Sequence, residues 1–225
     1  MSTLAQLVSR WRSRLDDTQA PYLWSDEELT SYFNAAVNLL CHEVPVITDA
    51  STASVCVITV TAADPTYTLS DRVTFIKRAK ISTRTEPLIL ADVEDMDGTN
   101  TDWENVDDDI PTTLIKDGLG TGVIRLYPGP SANATLTLTV SRLPLTDMVY
   151  ATDSATTPEV PDKYLYLLDN GVFYFAYLKD DTDTHNNKKA TEMYELFMND
   201  IERIKRSVDK SKHIDRVVAP HKAFM

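Results

Sequence analysis

The residues best suited to chemistry are the carboxylates of an acidic stretch, residues 92–109, with the sequence DVEDMDGTNTDWENVDDD. In an EF-hand register Asp95, Asp97, Gly98 and Glu104 fall at the third, fifth, sixth and twelfth positions. The first position, which has to supply an oxygen ligand, holds a valine, and the flanking segments have the pattern of strands. We therefore expect no metal site and interpret the stretch as a solvated acidic loop or short helix.

Other residue types that could support catalysis lack the spacing that catalysis needs. Asp107, Asp108 and Asp109 are adjacent, whereas glycoside hydrolysis needs two carboxylates held apart across a cleft. The histidines form no HExxH motif and accompany no nucleophile motif. The glycines of DGLGTG, residues 117–122, precede no Lys-Ser/Thr, so they indicate a hairpin turn rather than a phosphate loop. We expect no catalytic residue, no cofactor and no enzymatic activity; a metal-dependent hydrolase is the least favoured hypothesis.

Composition and charge narrow the class of protein further. The chain has 225 residues and a formal net charge of -12, which argues against a surface that grips nucleic acid throughout. Cys41 and Cys56 form no CxxC pair, so we expect both to be small buried side chains in a reducing cytoplasm. The N-terminus has no signal-peptide pattern, and no apolar run is long enough to span a bilayer. We expect a protein that is used without export.

Two amphipathic helices are predicted near the N-terminus, joined by a short turn. The three arginines of the first helix fall largely away from its apolar face. The second helix has Ser25 as N-cap and Glu28 as capping-box partner, and Pro45 should end it because proline lacks the amide hydrogen. The apolar faces consist of Leu4, Leu7, Val8, Trp11 and Leu15, and of Leu29, Tyr32, Phe33, Ala36, Val37 and Leu40.

The hydrophobic period changes to that of strands after Pro45. Short segments rich in β-branched residues alternate with Asp, Pro, Ser and Gly, which predicts an inserted antiparallel β-sandwich or small barrel. The segment LYPGP, residues 126–130, should lie at a sheet edge or tip, because proline fixes φ and cannot donate a ladder hydrogen bond.

Two further helices are predicted after the strands. Pro161 and Asp162 open the third, whose body over residues 164–178 is apolar on nearly every side and must therefore be buried on every side. The fourth extends from about residue 186 to about residue 210. The chain is thus predicted to be α+β, with a helical bundle built from both ends of the chain. Its parts are residues 1–46 and 158–212 for the bundle, 47–145 for the inserted β-domain, 146–157 for a linker and 213–225 for an extended tail.

Cations gather at the C-terminal end of a chain that is otherwise acidic. The negative end of the fourth helix dipole accounts for those within the helix, but the basic residues continue into a tail that also carries apolar residues. We interpret this end as a docking arm that folds on an acidic partner. The predicted docking residues are Arg203, Lys205, Arg206, Lys210, Lys212, Arg216 and Phe224.

Six segments in order carry a resemblance to a known family: TLAQLVSRWRSRLDD, LWSDEELTSYFNAAVNLLCHEVP, IPTTLIKDG, IRLYPGP, TLTLTVSRLP and VPDKYLYLL. Together they resemble the head-to-tail adaptor (connector) proteins of tailed bacteriophages. The resemblance covers both ends of the chain and the later part of the β-region, while residues 51–103 match least.

The resemblance implies a structural protein of the virion neck that is assembled in the host cytoplasm. Copies would form a ring, usually dodecameric, between the portal protein and a tail or tail-tube/nozzle protein, without contact with a membrane. DNA would pass through the channel without specific binding during packaging and ejection, which suits the negative charge. The bundle would build the ring, the β-domain would face outward or toward the tail, and the C-terminal arm would reach the portal. One side of the third helix would then pack on a neighbouring copy, through Tyr166, Phe173, Tyr174 and Tyr177.

The residues leave an alternative open, in which a non-enzymatic β-sandwich of a virion binds carbohydrate or another host-surface ligand. Such modules present exposed aromatic side chains, and Trp103 is the only Trp of the β-region. The sequence also leaves open whether the acidic stretch lines the channel or binds an ion.

Overall fold

The computed structural model describes residues 2–99, 102–106, 109–179 and 185–214, with side chains up to residue 209 in the last range. The fold is α+β, with helices at both ends and two sheets in between, as predicted. Two compact units divide the chain. The first, termed the helical unit, comprises Met1–Val46 and Pro144–Met225, and the second, termed the β-unit, comprises Ile47–Leu143.

The first two helices form where the sequence predicts them. Helix α1 spans Leu4–Leu15 and α2 spans Asp26–Glu43, so that α2 ends two residues before Pro45. The capping box at the start of α2 is confirmed, because the Glu28 amide donates to Ser25 Oγ over 3.1 Å and the Ser25 amide donates to Glu28 Oε2 over 2.7 Å. All five predicted apolar residues of α1 are buried.

The prediction of one continuous helix over residues 164–178 is wrong. Helix α6 (Asp162–Leu165) ends after one turn, residues 166–168 form a turn, and α7 (Asp169–Leu178) then begins. The break falls directly before Asp169, which is 2% exposed and pairs with cations of α1, a requirement of a buried charge that a count of apolar residues does not predict. The remaining helices of the unit are α5 (Tyr150–Asp153), α6 (Asp162–Leu165), α7 (Asp169–Leu178) and α8 (Asn187–Ile214).

The segment expected to be a linker, residues 146–157, contains α5 and packs on the two N-terminal helices. The Leu4 amide donates to the Thr156 carbonyl over 3.0 Å, and the Ala5 amide donates to the Ser154 carbonyl over 2.8 Å. These bonds satisfy amides of the first turn of α1 that have no partner within the helix. The Asn34 side chain also exchanges two hydrogen bonds with the Met148 backbone.

Helix α7 approaches two neighbouring helices closely at Gly171. A Cβ at this position would lie 2.8 Å from Ala36 Cβ of α2 and 2.9 Å from Phe197 Cζ of α8. Real Cβ contacts are essentially never that short, so the absence of a side chain is what lets the three helices pack together here.

The β-unit consists of two sheets packed as a sandwich, and in the described part of the chain they form no closed barrel. In the first sheet β8 (Ala134–Arg142) pairs with β1 (Thr48–Asp49), β2 (Val57–Val60) and β4 (Val73–Ile81), all antiparallel. A short helix, α3 (Ala53–Cys56), precedes β2. In the second sheet the strand order is β3 (Thr66–Thr68), β7 (Val123–Tyr127), β6 (Thr113–Asp117) and β5 (Ile89–Asp92).

One pairing differs from the antiparallel sandwich that the sequence predicts, because β5 and β6 run parallel. Parallel neighbours need a crossover connection rather than a tight turn. The acidic stretch supplies it: helix α4 (Val93–Thr99) begins directly after β5, and the chain then reaches β6 at Thr113.

The predicted turns lie where the two sheets require them. Gly118, Gly120 and Gly122 all have positive φ in the turn between β6 and β7, which confirms the hairpin prediction. The segment LYPGP follows: β7 ends at Tyr127, and the next strand, β8, belongs to the other sheet. The prolines therefore stand where the chain changes sheets.

The core of the β-unit receives buried side chains from both sheets, with Leu136, Leu138 and Val140 of β8 fully buried between them. Cys56 belongs to this core, and Cys41 is buried in the helical unit, which confirms the prediction that both are buried.

A buried ion pair joins the first and last strands of the β-unit. Arg142 Nε of β8 donates to Asp49 Oδ2 of β1 over 2.6 Å, and both residues are 7% exposed. Asp49 also accepts from the Thr52 hydroxyl over 2.6 Å and from the Ser51 amide over 2.9 Å. The Thr52 hydroxyl, the Ser51 amide and Arg142 outweigh the effect of burial and hold the pKa of Asp49 well below its usual range.

Gly171→Ala should lower the free energy of unfolding by about 1–3 kcal/mol, because the added methyl group would overlap the Ala36 and Phe197 side chains. Chemical denaturation followed by circular dichroism measures the change. Gly98→Ala is the matched control, since Gly98 also lies in a helix but has nothing within 4 Å of its built Cβ. Equal effects of the two substitutions would contradict the close approach at Gly171.

The Asp49 carboxylate should make the stability of the β-unit depend on pH. Its pKa is lower in the folded than in the unfolded chain, so its contribution is complete above the unfolded value of about 3.9 and is lost as the pH falls below it. Denaturant titrations between pH 7 and pH 2.5 should show this loss. Asp49→Asn should have a lower free energy of unfolding than the wild type at pH 7, and this free energy should depend less on pH below pH 4. Asp71→Asn, at an exposed position, should show the same pH dependence of stability as the wild type.

Candidate functional site

Helix α7 carries most of the predicted interface residues, and a buried ion network fixes its position. Asp169 Oδ1 accepts from Arg10 Nη2 over 2.5 Å and from Trp11 Nε1 over 2.7 Å, and Oδ2 accepts from Arg14 Nη1 over 2.7 Å. Arg10 and Arg14 lie one turn apart on α1, so they reach the same carboxylate. This network was not predicted from the sequence, although a lone Asp in an apolar segment and two arginines four residues apart on α1 are the signal for it.

The four tyrosine and phenylalanine residues predicted for a subunit interface differ in exposure. Tyr166, in the turn before α7, is 57% exposed. Phe173 is 4% exposed and packs inside its own unit, where the Arg14 guanidinium lies 4.8 Å from its ring centroid. Tyr174 and Tyr177 are half-buried. The structure therefore leaves Tyr166, Tyr174 and Tyr177 with surface for a partner, and little on Phe173.

An aromatic face extends across three helices around Tyr174. The Tyr174 ring centroid lies 4.8 Å from that of Phe175 and 5.1 Å from that of Tyr194 on α8. Phe175 in turn stacks on Tyr32 of α2 with a centroid distance of 6.3 Å. Tyr194 is 41% exposed and the other three are half-buried. We call Tyr32, Tyr174, Phe175 and Tyr194 the aromatic face.

The basic residues predicted for docking lie in or after α8. Arg203 Nη1 pairs with Asp200 Oδ1 at 3.1 Å, although the Arg203 side chain remains 68% exposed. Lys205 and Arg206 are exposed. The side chains of Lys210 and Lys212, and the whole of Arg216 and Phe224, lie outside the described residues.

A groove separates α6 from α8 on the side of Arg203. Its volume is about 290 Å³, and Tyr164, Tyr166 and Leu167 form one wall. Arg203, Ile204 and Ser207 form the wall on α8, and Lys163 also lines the groove. The groove thus combines exposed cations with apolar walls.

The acidic stretch uses its polar atoms within the β-unit. Asp97 Oδ1 accepts from Trp103 Nε1 over 2.8 Å, and the side chain of Met96 is 6% exposed. Asp107 and Asp108 lie outside the described residues. Across the described residues, no three His, Cys, Asp or Glu side chains converge to hold a metal ion.

Trp103 is 2% exposed, with the Arg125 guanidinium 5.4 Å from its ring centroid. It therefore offers no open ring face on which a sugar could stack. The single Trp of the β-region, which already counted against the carbohydrate-binding alternative, therefore adds no support to it.

Asp169→Asn should lower the free energy of unfolding by about 3 kcal/mol, because Asn keeps the shape but leaves two guanidinium groups without their buried carboxylate. Thermal and denaturant unfolding measure the change. Asp16→Asn serves as the control, since Asp16 is exposed at the left-handed end of α1, a conformation that Asn accepts. A loss as small as that of the control would contradict the network.

In the described part of the chain, no helix is both long and apolar enough to cross a membrane. A comparison with curated proteins finds no match. The family model described as SU10 adaptor protein matches residues 2–220, almost the whole chain. This match agrees with the bundle, the inserted sandwich and the adaptor-like segments of the sequence, and the chain belongs to the SU10 adaptor protein family, which makes it a structural adaptor protein of a bacteriophage virion.

Proposed function

We propose that copies of the chain form a ring under the portal that joins it to the tail, with a central channel for DNA. The ring is dodecameric and occupies the neck of the virion. The helical unit builds the ring, and the β-unit faces outward or toward the tail. Tyr166, Tyr174 and Tyr177 contact neighbouring copies. Family membership supports the adaptor role. The exposed surfaces of the helical unit support the proposal that this unit builds the ring.

The observation that carries this proposal is the length of α8 beyond its own core. Ile204 is the last buried side chain of α8 in the described range, while the helix continues to Ile214. Ten further residues at about 1.5 Å each extend the helix by about 15 Å. Between Ile204 and residue 209 the described side chains of α8 are exposed apart from the half-buried Val208, and a helix end with so much exposed surface suits a docking arm.

The charge of the docking arm indicates the kind of partner that it binds. Lys205 and Arg206 are exposed on a chain whose net charge is -12, and further cations follow in the sequence. We assign the end of α8 and the following residues to an acidic surface of the portal protein. The overall negative charge repels phosphate, so DNA can pass the channel without being retained.

Lys205→Glu combined with Arg206→Glu should weaken binding to purified portal rings at least tenfold, because two attractive charges become repulsive. Lys188→Glu combined with Lys80→Glu is the matched control: it makes the same charge change at exposed positions that are not part of the end of α8. Sedimentation of portal rings with bound protein measures affinity, and electron microscopy of the wild-type complex shows its symmetry.

The two parts of the proposal can fail separately. If the Lys205/Arg206 variant bound portal rings with wild-type affinity, the assignment of the docking arm would be wrong, but the proposed ring would not be affected. Absence of an added ring on portal complexes of the wild-type protein would overturn the ring itself.

A further inference from the structure

The helical unit presents two different exposed surfaces, one on each side of α8. The first is the aromatic face, which reaches α8 through Tyr194. The second, which we call the cationic flank, consists of Tyr166, Leu196, Arg203 and Lys163. Arg203 follows Tyr194 by nine residues, which is two and a half turns at about 3.6 residues per turn, so the two side chains leave the helix in opposite directions.

Neither surface is explained by the packing of its own unit. On the cationic flank Leu196 is 47% exposed, Tyr166 is 57% exposed and the Arg203 side chain is 68% exposed. On the aromatic face Tyr194 is 41% exposed beside the half-buried rings of Tyr174 and Phe175. Large apolar side chains grouped at the surface mark interaction sites when polar groups accompany them.

The chemistry of the two surfaces is complementary. Guanidinium and ammonium groups bind the negative faces of aromatic rings, most strongly when water is excluded. The helical unit already uses this contact within one copy, because the Arg12 guanidinium lies 3.8 Å from the Tyr22 ring centroid and the Lys189 ammonium 5.1 Å from that of Tyr177. Leu196 and Tyr166 supply the apolar area that makes such a contact stable.

We propose that the aromatic face of one copy binds the cationic flank of the next, so that the occupant of each surface is a second copy of this chain. This inference rests on the proposed ring and names its contact. A contact between two different surfaces is heterologous, and its repetition gives a ring when the rotation from copy to copy closes, whereas a self-complementary surface would stop at a dimer. Tyr166 and Tyr174 therefore belong to opposite halves of the interface, rather than to one patch.

Three adjacent residues of α8 provide matched variants. Tyr194→Lys places a cation on the aromatic face, where it repels the cationic flank of the neighbouring copy. Leu196→Glu places a carboxylate on the cationic flank, where the contact would bury it against the aromatic rings of the neighbouring copy. Glu195 is exposed and points between the two, about 100° from each, so Glu195→Lys is the control. Tyr166→Glu, in the turn before α7, is a second variant of the cationic flank that leaves α8 unchanged. Circular dichroism checks that all four fold.

Assembly is followed by native mass spectrometry, in free solution and on purified portal rings. The wild type and Glu195→Lys should form rings, whereas Tyr194→Lys, Leu196→Glu and Tyr166→Glu should each remain monomeric. An equal mixture of Tyr194→Lys and Leu196→Glu should give heterodimers and nothing larger. The first variant keeps only its cationic flank and the second keeps only its aromatic face, so one copy of each can form a single contact.

Each contrary result has a distinct meaning. Wild-type rings from folded Tyr194→Lys or Leu196→Glu would overturn the assigned interface and leave the ring standing. Dimers of Leu196→Glu alone would show that the aromatic face binds itself, which also overturns the inference. A wild-type protein that stays monomeric both in solution and on the portal would instead overturn the proposed ring.

Discussion

The most buried carboxylate of the helical unit, Asp169, positions α7. Asp169 can be 2% exposed only because Arg10, Arg14 and the Trp11 indole all donate to it. A buried charge without partners costs several kcal/mol, so α7 has to begin beside the arginine pair of α1. This requirement sets both the start of α7 and its rotation about its own axis.

The rotation of α7 decides what the rest of the unit can present. With Asp169 turned toward α1, Gly171 meets Ala36 and Phe197, and the rings of Tyr174 and Phe175 emerge beside α2 and α8. The preceding turn leaves Tyr166 outside. A rotation of α7 by one residue, about 100°, would turn the carboxylate away from Arg10 and Arg14 and move both rings from their present positions. The exposed surfaces therefore follow from the ion network.

Features that depend on local physical chemistry could be read from the sequence, and features that depend on distant partners could not. The capping box of Ser25 and Glu28, the end of α2 before Pro45 and the positive φ of Gly118 each follow from a few neighbouring residues. The break before α7 and the parallel pairing of β5 with β6 arise between segments far apart in sequence. Hydrophobic periodicity cannot report such contacts, because it counts apolar residues and not the partners of a lone charge.

The arginines of α1 illustrate this limit and bear on function. Their positions away from the apolar face predict solvent exposure, yet Arg12 is 8% exposed, 2.7 Å from Asp17 and 2.6 Å from Asp26, and Arg10 and Arg14 share Asp169. Carboxylates of the same unit thus neutralise these cations at short range, where attraction is strongest. Cations that retain exposure, such as Arg203, Lys205 and Arg206 of α8, are the ones able to attract another surface. The chain has a net charge of -12, which disfavours DNA as the partner of these cations. An acidic protein surface is the partner consistent with this charge.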